Sequence, residues 1–341
     1  MKESKLLTYT DRGLYCPVAD VYIDPHKPVK KALITHGHSD HALSGHRYYL
    51  CTALTAAIIK FRLGSFIQTQ VVSWGEILNI NGVSFSFHPA GHIPGSAQIK
   101  MEYHGEIIVI TGDYKTEEDQ VSGKYELIKC KTLVTETTFA LPIYQWQPQQ
   151  RIIKEILDWY QHNLKYGKSS VVLSYALGKS QRIIQSIPEE IPVFTHAAVE
   201  NTNKVLRQAG LNLRKTYQVS SKYRKKDIQL GITVAPSAVL NTPWIRSLDR
   251  PTTAFASGWM ALSKNRKAQA GETGFALSDH VDWNALNSVV DNCDAENIWL
   301  MHGFTDDYEK YLAPKGYHIK NIGSHFSSNR SSNPEIEEEE D

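Results

Sequence analysis

Apolar and polar positions along the first third of the chain fall into short runs closed by turns. "GVSFSFHPA" alternates strictly, as a half-buried strand does. "DVYIDP" and "KALITHGH" are brief apolar runs, each followed by a polar loop. "SAQIKMEYHGEIIVITGDY" holds two strand-like runs around the turn "HGE", and "KTLVTETTF" reads as a further strand. At Gln149–Leu164 the period changes, and Ile152, Ile153, Ile156, Leu157 and Tyr160 share one helical face. Beyond it strands and helices alternate. "SSVVLSYA" precedes "GKSQRIIQSI", and "IPVFTH" precedes "AAVENTNKVLRQAG". "GITVAP" and "TTAFAS" are strands; "TGFAL" leads into "DHVDWNALNSVVDNC", and "ENIWLMHG" into "TDDYEKYLAPKG". That alternation predicts an α/β protein with layered, largely parallel strands.

A chain of 341 residues can bury a large core in one or two domains. No window approaches the ~20 consecutive apolar residues of a membrane-spanning helix. "MKESKLLTYTDRG" has no signal-peptide core, so a cytoplasmic, non-membrane protein is expected. Cys16, Cys51, Cys130 and Cys293 form no CxxC pair and are expected to be reduced and buried. A metal would therefore be held by nitrogen and oxygen. The net charge is +1, but "NPEIEEEED" concentrates six acids at the end, and 326–341 reads as a solvated acidic tail. The segment from Asn203 to Lys226 is the most basic, with Lys225 and Lys226 at its end. It reads either as a solvated face or as a surface for a phosphate backbone.

The chemistry starts at "THGHSDHA". His36, His38, Asp40 and His41 lie within six residues, directly after the run "LIT". A loop at a strand's carboxyl end converges side chains that an extended strand would send to opposite faces. Two adjacent pairs of nitrogen and oxygen donors suit two neighbouring divalent ions better than one. More donors stand at other strand ends: His92 in "PAGHIPGSA", Asp113 in "VITGDYK", Glu136 in "VTETTF", His280 in "LSDHVDW" and His302 in "WLMHGF".

"HGHSDH" resembles the HxHxDH signature of the metallo-β-lactamase fold. The later "GH", "GD" and "HG" resemble its phosphodiesterase branch. The inserted α/β segment followed by "SDH" resembles the β-CASP nucleases, and most of all the bacterial DNA ligase-associated exonucleases. "GLYCP", "DVYIDP", "ITHGHSDHA", "HPAGHIPGSAQI", "TGDYK", "TETTFALPIY", "SYALGKSQR", "FTHAAVE", "FASGWM", "LSDHVDW" and "MHGF" carry the match, from Gly13 to Phe304. The resemblance implies a four-layer αβ/βα sandwich over 1–148 and 273–325. A compact β-CASP α/β cap would span 149–272, with the site in the cleft between them. It implies that His36, His38 and His92 hold one zinc, that Asp40, His41 and His302 hold the second, and that Asp113 bridges both. Asp24 would orient the ligand loop. Glu136 would pair with His280, which would protonate the leaving oxygen, and Asp40 would serve catalysis as well as metal binding. The implied activity is metal-dependent hydrolysis of DNA from an end or single strand, in repair beside a DNA ligase.

The donor set fits that chemistry. Two metals ~3.5–4 Å apart can generate hydroxide at neutral pH and neutralise a phosphodiester together. Imidazole and carboxylate suit zinc at ~2.0–2.2 Å, and manganese suits the same donors. In "SYALGKSQR", Ser174, Gly178, Lys179 and Ser180 mark a strand-to-helix junction able to hold phosphate. In "SGWM", Ser257 and Gly258 precede Trp259, which either stacks on a base or packs a domain interface. Tyr114 and Lys115 follow the bridging aspartate and are further phosphate candidates. Three rivals stand beside the DNA reading. They are an RNA-processing nuclease on the same scaffold, a glyoxalase-type thioesterase or lactonase, and a metal-free binder.

Overall fold

The computed structural model describes residues 6–262 and 273–323. The expected tail at 326–341 lies outside the described residues, as do 263–272 at the end of the expected cap. The chain is mixed α/β and divides into two compact units. One takes in 6–143 and 280–323, the other 144–262 and 273–279, against expected divisions after 148 and 272.

The first unit is built on two sheets. β1 (Thr8–Thr10), β2 (Gly13–Cys16), β3 (Val21–Ile23), β4 (Lys31–Leu33), β5 (Tyr48–Cys51) and β6 (Thr69–Val71) follow chain order in one sheet, antiparallel up to β3 and parallel beyond it. β7 (Leu78–Ile80), β8 (Val83–Pro89), β9 (Ala97–Tyr103), β10 (Glu106–Ile110) and β11 (Thr132–Thr137) belong to the other. The second unit carries one parallel sheet. Its strands are β12 (Ser169–Leu173), β13 (Val193–Thr195), β14 (Tyr217–Gln218), β15 (Ile232–Ala235), β16 (Pro251–Ala256) and β17 (Thr273–Phe275), in the order β14-β13-β15-β12-β16-β17. β18 (Asn297–Gly303) and β19 (His318–Asn321) return to the first unit and complete the order β19-β18-β11-β10-β9-β8-β7.

The alternation seen in the sequence explains the packing. Leu14, Val21, Ile23 and Leu33 of the first sheet share one core with Phe85, Phe87, Ile99, Met101, Ile110 and Val134 of the second. The opposite faces take helices. Ala56 and Ile59 of helix Ala53–Leu63 pack on Ala32, Ile34, Tyr49 and Cys51. Leu286, Val289 and Val290 of Trp283–Asn292, with Tyr308 and Leu312 of Thr305–Leu312, pack on Val109, Leu133, Ile298 and Leu300. β11 is covered on both faces and buried throughout, as central strands of such sheets are. Each phenylalanine of this core is worth about 3–5 kcal/mol against truncation to alanine.

The expected helix at Gln149–Leu164 runs Gln149–Lys165. Helix Ala53–Leu63 had no counterpart in the sequence reading, which took the first third as strands. "ALTAAIIKFRL" spreads alanine, isoleucine and leucine around its circumference, so no clean 3.6-residue stripe stands out. Thr52 starts this helix by accepting the Thr55 N–H at 3.4 Å.

Strand register places the chemistry. β10, β11 and β18 are parallel neighbours, so their carboxyl ends share one edge. Asp113, Glu136 and His302 stand at those ends. A bulge between Glu136 and Thr137 shifts the pairing from Met301 to Gly303, which re-aims the chain at His302.

Candidate metal centre

The ligand cluster begins with the turn after β4. Thr35 donates its N–H to Asp24 Oδ1 at 2.8 Å and its hydroxyl to Asp24 Oδ2 at 2.5 Å. Asp24 Oδ2 also lies 2.8 Å from His41 Nδ1, and Thr35 Oγ1 lies 3.0 Å from His36 Nδ1. Both imidazoles thus have Nδ1 engaged with oxygen, and Nε2 is left as the donor toward a cation. Thr35 was not singled out in the sequence, because a threonine at a strand end carries no signal beyond β propensity.

Asp113 sits at the centre of the donors. Its Oδ2 is 3.4 Å from His41 Nε2, 3.8 Å from His36 Nε2 and 3.9 Å from His92 Nε2. His92 Nε2 is 3.1 Å from His38 Nδ1, and Asp40 Oδ2 is 3.5 Å from His41 Nε2. The His41 and His302 rings are 4.9 Å apart. Ligand atoms of His36, His38 and His92 converge within 4.8 Å, as do those of His36, Asp40 and His41 and those of His41, Asp113 and His302. Donors held ~2.0–2.1 Å from one tetrahedral ion are ~3.3 Å from each other, so the spacing suits divalent ions.

The polar atoms also want a cation. His36 Nε2 and Asp113 Oδ1 are buried and have no hydrogen-bond partner among the described residues. Such atoms are costly unless an ion completes them. Burial, with the neighbouring His41 and His92 rings, pushes His36 well below the usual imidazole range, so it is a neutral donor. Burial works against a charged His41, but the Asp40 and Asp113 carboxylates and the bond to Asp24 outweigh it and hold His41 well above that range. Burial likewise opposes charge on Asp113, yet His41, His280 and His36 keep it well below the carboxylate range.

Backbone shape brings the donors this close. Gly91 has φ +74°, and a Cβ there would lie 2.2 Å from the Lys115 carbonyl oxygen. Gly112 has φ +55°, and its Cβ would lie 2.7 Å from Thr35. His302 itself has φ +54° and Asp24 has φ +40°, unusual values for residues with side chains. Such backbone costs about 1–3 kcal/mol per residue and persists where surroundings impose it. The Thr137 hydroxyl donates to the His302 carbonyl oxygen.

Glu136 and His280 form a second pair beside the ligands. His280 Nδ1 is 2.9 Å from Glu136 Oε2 and 3.9 Å from Asp113 Oδ2, and the His280 and His92 rings are 4.6 Å apart. Glu136 Oε1 accepts the Tyr114 N–H at 2.7 Å. Burial raises the Glu136 carboxyl against the pull of His280.

Several expected substrate contacts need correction. Tyr114 is buried in the core, with its hydroxyl accepting from Thr135 at 3.3 Å, and cannot reach a phosphate. Lys115 is buried and pairs with Glu117 at 3.2 Å. At the strand-to-helix junction the Gly178 N–H donates to Gln181 Oε1 at 2.6 Å, and Ser174 and Ser180 bond each other at 2.9 Å. Lys179 is buried against Asp279 at 3.5 Å. These groups are spent on the fold of the second unit. Ser257 accepts the Trp259 N–H at 3.2 Å, Gly258 is buried, and the Trp259 ring packs edge-on against Tyr144 with centroids 5.7 Å apart. In the basic segment, Arg207 pairs with Glu200 and Arg214 binds the carbonyls of Ile187, Pro188 and Ile191, so both are structural. Lys204, Lys215, Lys222, Arg224, Lys225 and Lys226 are exposed.

Two outcomes test the centre. Asp24→Asn should weaken zinc binding by roughly 10–100-fold, since the group orienting His41 and Thr35 is blunted; unchanged affinity by calorimetric titration would detach Asp24 from the site. His41 carries a proton in the metal-free protein, and a metal must displace it. Affinity should therefore rise with pH through and above the ordinary imidazole value of ~6.5. Titration with zinc in weak buffer should acidify the solution, and binding independent of pH would remove His41 from the ligands.

No family model matches the chain. A Probable DNA ligase of Opitutus terrae is 28% identical over 318 residues, covering 91% of this chain and 30% of that protein. Endoribonuclease YSH1 of Yarrowia lipolytica is 23% identical over 307 residues, covering 73% of this chain and 37% of that protein. Cleavage and polyadenylation specificity factor subunit 3-I of Arabidopsis thaliana is 25% identical over 201 residues, covering 49% and 28%. The chain thus spans well under half the length of these relatives. A crystal structure of a protein of unknown function from Enterococcus faecalis V583 shares the fold, with a TM-score of 0.60 at 12% identity over 86% of this chain and 78% of that one. The ligand motif, the clustered donors and these relatives together support a metallo-β-lactamase β-CASP family for the chain.

Proposed function

We propose that the protein is a metal-dependent phosphodiesterase that removes nucleotides from DNA ends or single strands. The observation that carries this reading is Asp113 Oδ2, within 3.9 Å of nitrogens from both halves of the ligand set, with the Glu136–His280 pair alongside. On this reading the first unit is the αβ/βα sandwich and the second is the β-CASP cap. His36, His38 and His92 would hold one divalent ion, zinc or manganese, and Asp40, His41 and His302 would hold a second, with Asp113 placed beside both sets. Bound there, the ions lower the pKa of water and offset the charge of the phosphate. Imidazole, carboxylate and exposed lysine do the remainder.

Glu136 holds His280 by Nδ1, which makes Nε2 the nitrogen that delivers a proton to the departing alkoxide. A sugar alkoxide is a poor leaving group, and a positioned acid contributes about 10²–10⁴-fold. Lys225 and Lys226, with the exposed cations near them, contact the phosphate backbone. DNA is preferred as substrate because a match over 91% of this chain is to a protein named as a probable DNA ligase. The same match motivates a functional partnership with a ligase in repair, in the cytoplasm. Among the described residues no helix is long and apolar enough to cross a membrane. RNA is the second reading, favoured by the relatives named as endoribonucleases.

The deciding assay compares labelled single-stranded DNA, duplex DNA and RNA with zinc or manganese. Stepwise loss from one DNA end is expected, abolished in Asp113→Ala. Preferential RNA cutting would move the protein to the second reading, and no cutting with metal bound would favour a small ester substrate. His280→Ala should keep its metal and lose about 10²–10⁴-fold in turnover; near-normal turnover would take His280 out of the mechanism. Lys225→Glu with Lys226→Glu should weaken DNA binding and reduce the salt slope by about 1–2. An unchanged slope would return that face to simple solvation.

A further inference from the structure

The ligand loop leaves β4 after Leu33 and rejoins the sheet at Tyr48, the start of β5. Its outgoing leg has ties already described or close by. Asp24 grips Thr35, and Arg62 Nη1 donates to the Gly37 carbonyl at 3.0 Å. The return leg, which follows His41, is held by different residues, and neither the ligand motif nor the proposed chemistry uses them.

Tyr49 is the centre of that second hold. Its ring is fully buried in the core that also takes in Ala32, Ile34, Ala42 and Ile59. Its hydroxyl accepts the His46 N–H at 3.1 Å and donates to the Leu43 carbonyl at 3.0 Å. Both ends of the return leg thus meet on one oxygen atom. The His46 ring lies 5.0 Å from the Tyr49 ring, and its Nδ1 accepts the Val29 N–H at 3.3 Å. The Arg47 N–H closes the same contact on the Val29 carbonyl at 3.0 Å. Burial pushes the His46 imidazole down to about 4, with Asp24 pulling the other way, so at neutral pH Nδ1 keeps its lone pair for Val29. His46 Nε2 is buried with no hydrogen-bond partner among the described residues. That is a cost, and a leucine filling the same space would not bear it. What the position uses is therefore the acceptor Nδ1.

The hold lies next to the donors. Leu43 is two residues after His41, and Ala42, buried between them, donates its N–H to the His38 carbonyl at 3.0 Å. Donors bind an ion tightly when their support keeps them within about 0.5 Å of the required place. We infer that Tyr49 is a positioning residue of the metal centre, whose hydroxyl, braced by His46, ties the return leg to the core and sets where Asp40 and His41 stand. The inference rests on the metal-centre reading for its affinity arm only.

The test uses the full-length protein. Tyr49→Phe keeps the ring and removes the hydroxyl. Titration with zinc by calorimetry, at a temperature where the variant is folded, should show the ion assigned to Asp40, His41 and His302 bound about 10–100-fold more weakly. The ion assigned to His36, His38 and His92 should change by no more than about threefold. His46→Leu should lose as much as Tyr49→Phe, and the double variant no more than either, because the two act as one unit. His46→Asn, which offers an amide oxygen to Val29, should recover most of the loss. Amide hydrogen exchange in the metal-free protein needs neither ion nor activity. In Tyr49→Phe the Ala42 amide should lose about tenfold or more in protection, while amides of the β8–β9 ladder keep theirs.

Unchanged zinc affinity with unchanged Ala42 protection would reduce Tyr49 to a core contact. An equal loss of affinity at both ions, or an equal loss of protection throughout the first unit, would mean general loosening and would also overturn the inference. Should Tyr49→Phe fail to fold, His46→Leu and His46→Asn carry the same measurements. A wild type that binds no zinc or manganese would sink the metal-centre reading alone, and the exchange comparison would still decide the role of Tyr49.

Discussion

Asp113 is the constraint around which the first unit is arranged. One carboxylate oxygen faces imidazole nitrogens of His36, His41 and His92, while its other oxygen is buried without a partner. Without a cation this is an expensive arrangement, since buried polar atoms have exchanged water for nothing. The ring nitrogens do not share the deficit evenly. His36 is driven neutral by burial and by its neighbouring rings, whereas the carboxylates draw a proton onto His41. The carboxylates of Asp40 and Asp113 therefore favour a proton on the His41 side of the site. A divalent ion held there would replace it and would also satisfy His36 Nε2.

Holding donors this way requires backbone that helices and strands do not supply. Parallel β10, β11 and β18 bring three chain ends to one edge, but parallel register alone would leave β18 one step out of phase. The bulge at Glu136/Thr137 and the left-handed backbone of His302 correct it. Gly91 and Gly112 let two ligand loops pass against Lys115 and Thr35 at distances no Cβ tolerates. The shared core of the two sheets, with Phe85 and Phe87 among its residues, provides the rigidity that keeps such strained turns in place.

Much of this was legible in the sequence, for physical reasons. Ligands must lie close together, and short strands ending in small residues are an economical way to arrange that, so "THGHSDHA", "AGHIPG", "ITGD" and "LMHG" stand out. The parallel sheet of the second unit was legible because its strands and helices alternate in period. Contacts made through single hydrogen bonds were not. Thr35 looks like any strand threonine. Tyr114, Lys115, Lys179 and Ser180 have residue types that suit phosphate, but residue type does not reveal burial. Arg207 and Arg214 count as positive charge in composition, yet Glu200 pairs with Arg207 and four backbone carbonyls take up Arg214. Helix Ala53–Leu63 was hidden because apolar residues on several of its sides blur the helical period.

Glu136 explains why the misread residues next to Asp113 are buried. Its Oε1 takes the Tyr114 N–H, which fixes the chain immediately after Asp113, and its Oε2 takes His280 Nδ1. One carboxylate thus sets the distance between the residue shared by both halves of the ligand set and the proposed acid. For that, the chain from Asp113 to Lys115 has to run inward, and the Tyr114 side chain is carried into the core beside Leu133 and Leu300. A lysine that follows it inward needs a local partner, which Glu117 provides. Residues that looked like substrate contacts by type are consequences of holding Asp113 and His280 in register. Burial of Glu136 raises its carboxyl while His280 lowers it, so the proton on this pair answers to whatever charge sits at Asp113. His280 Nδ1 and Asp113 Oδ2 are 3.9 Å apart, so charge at either is felt by the other with no moving part between them.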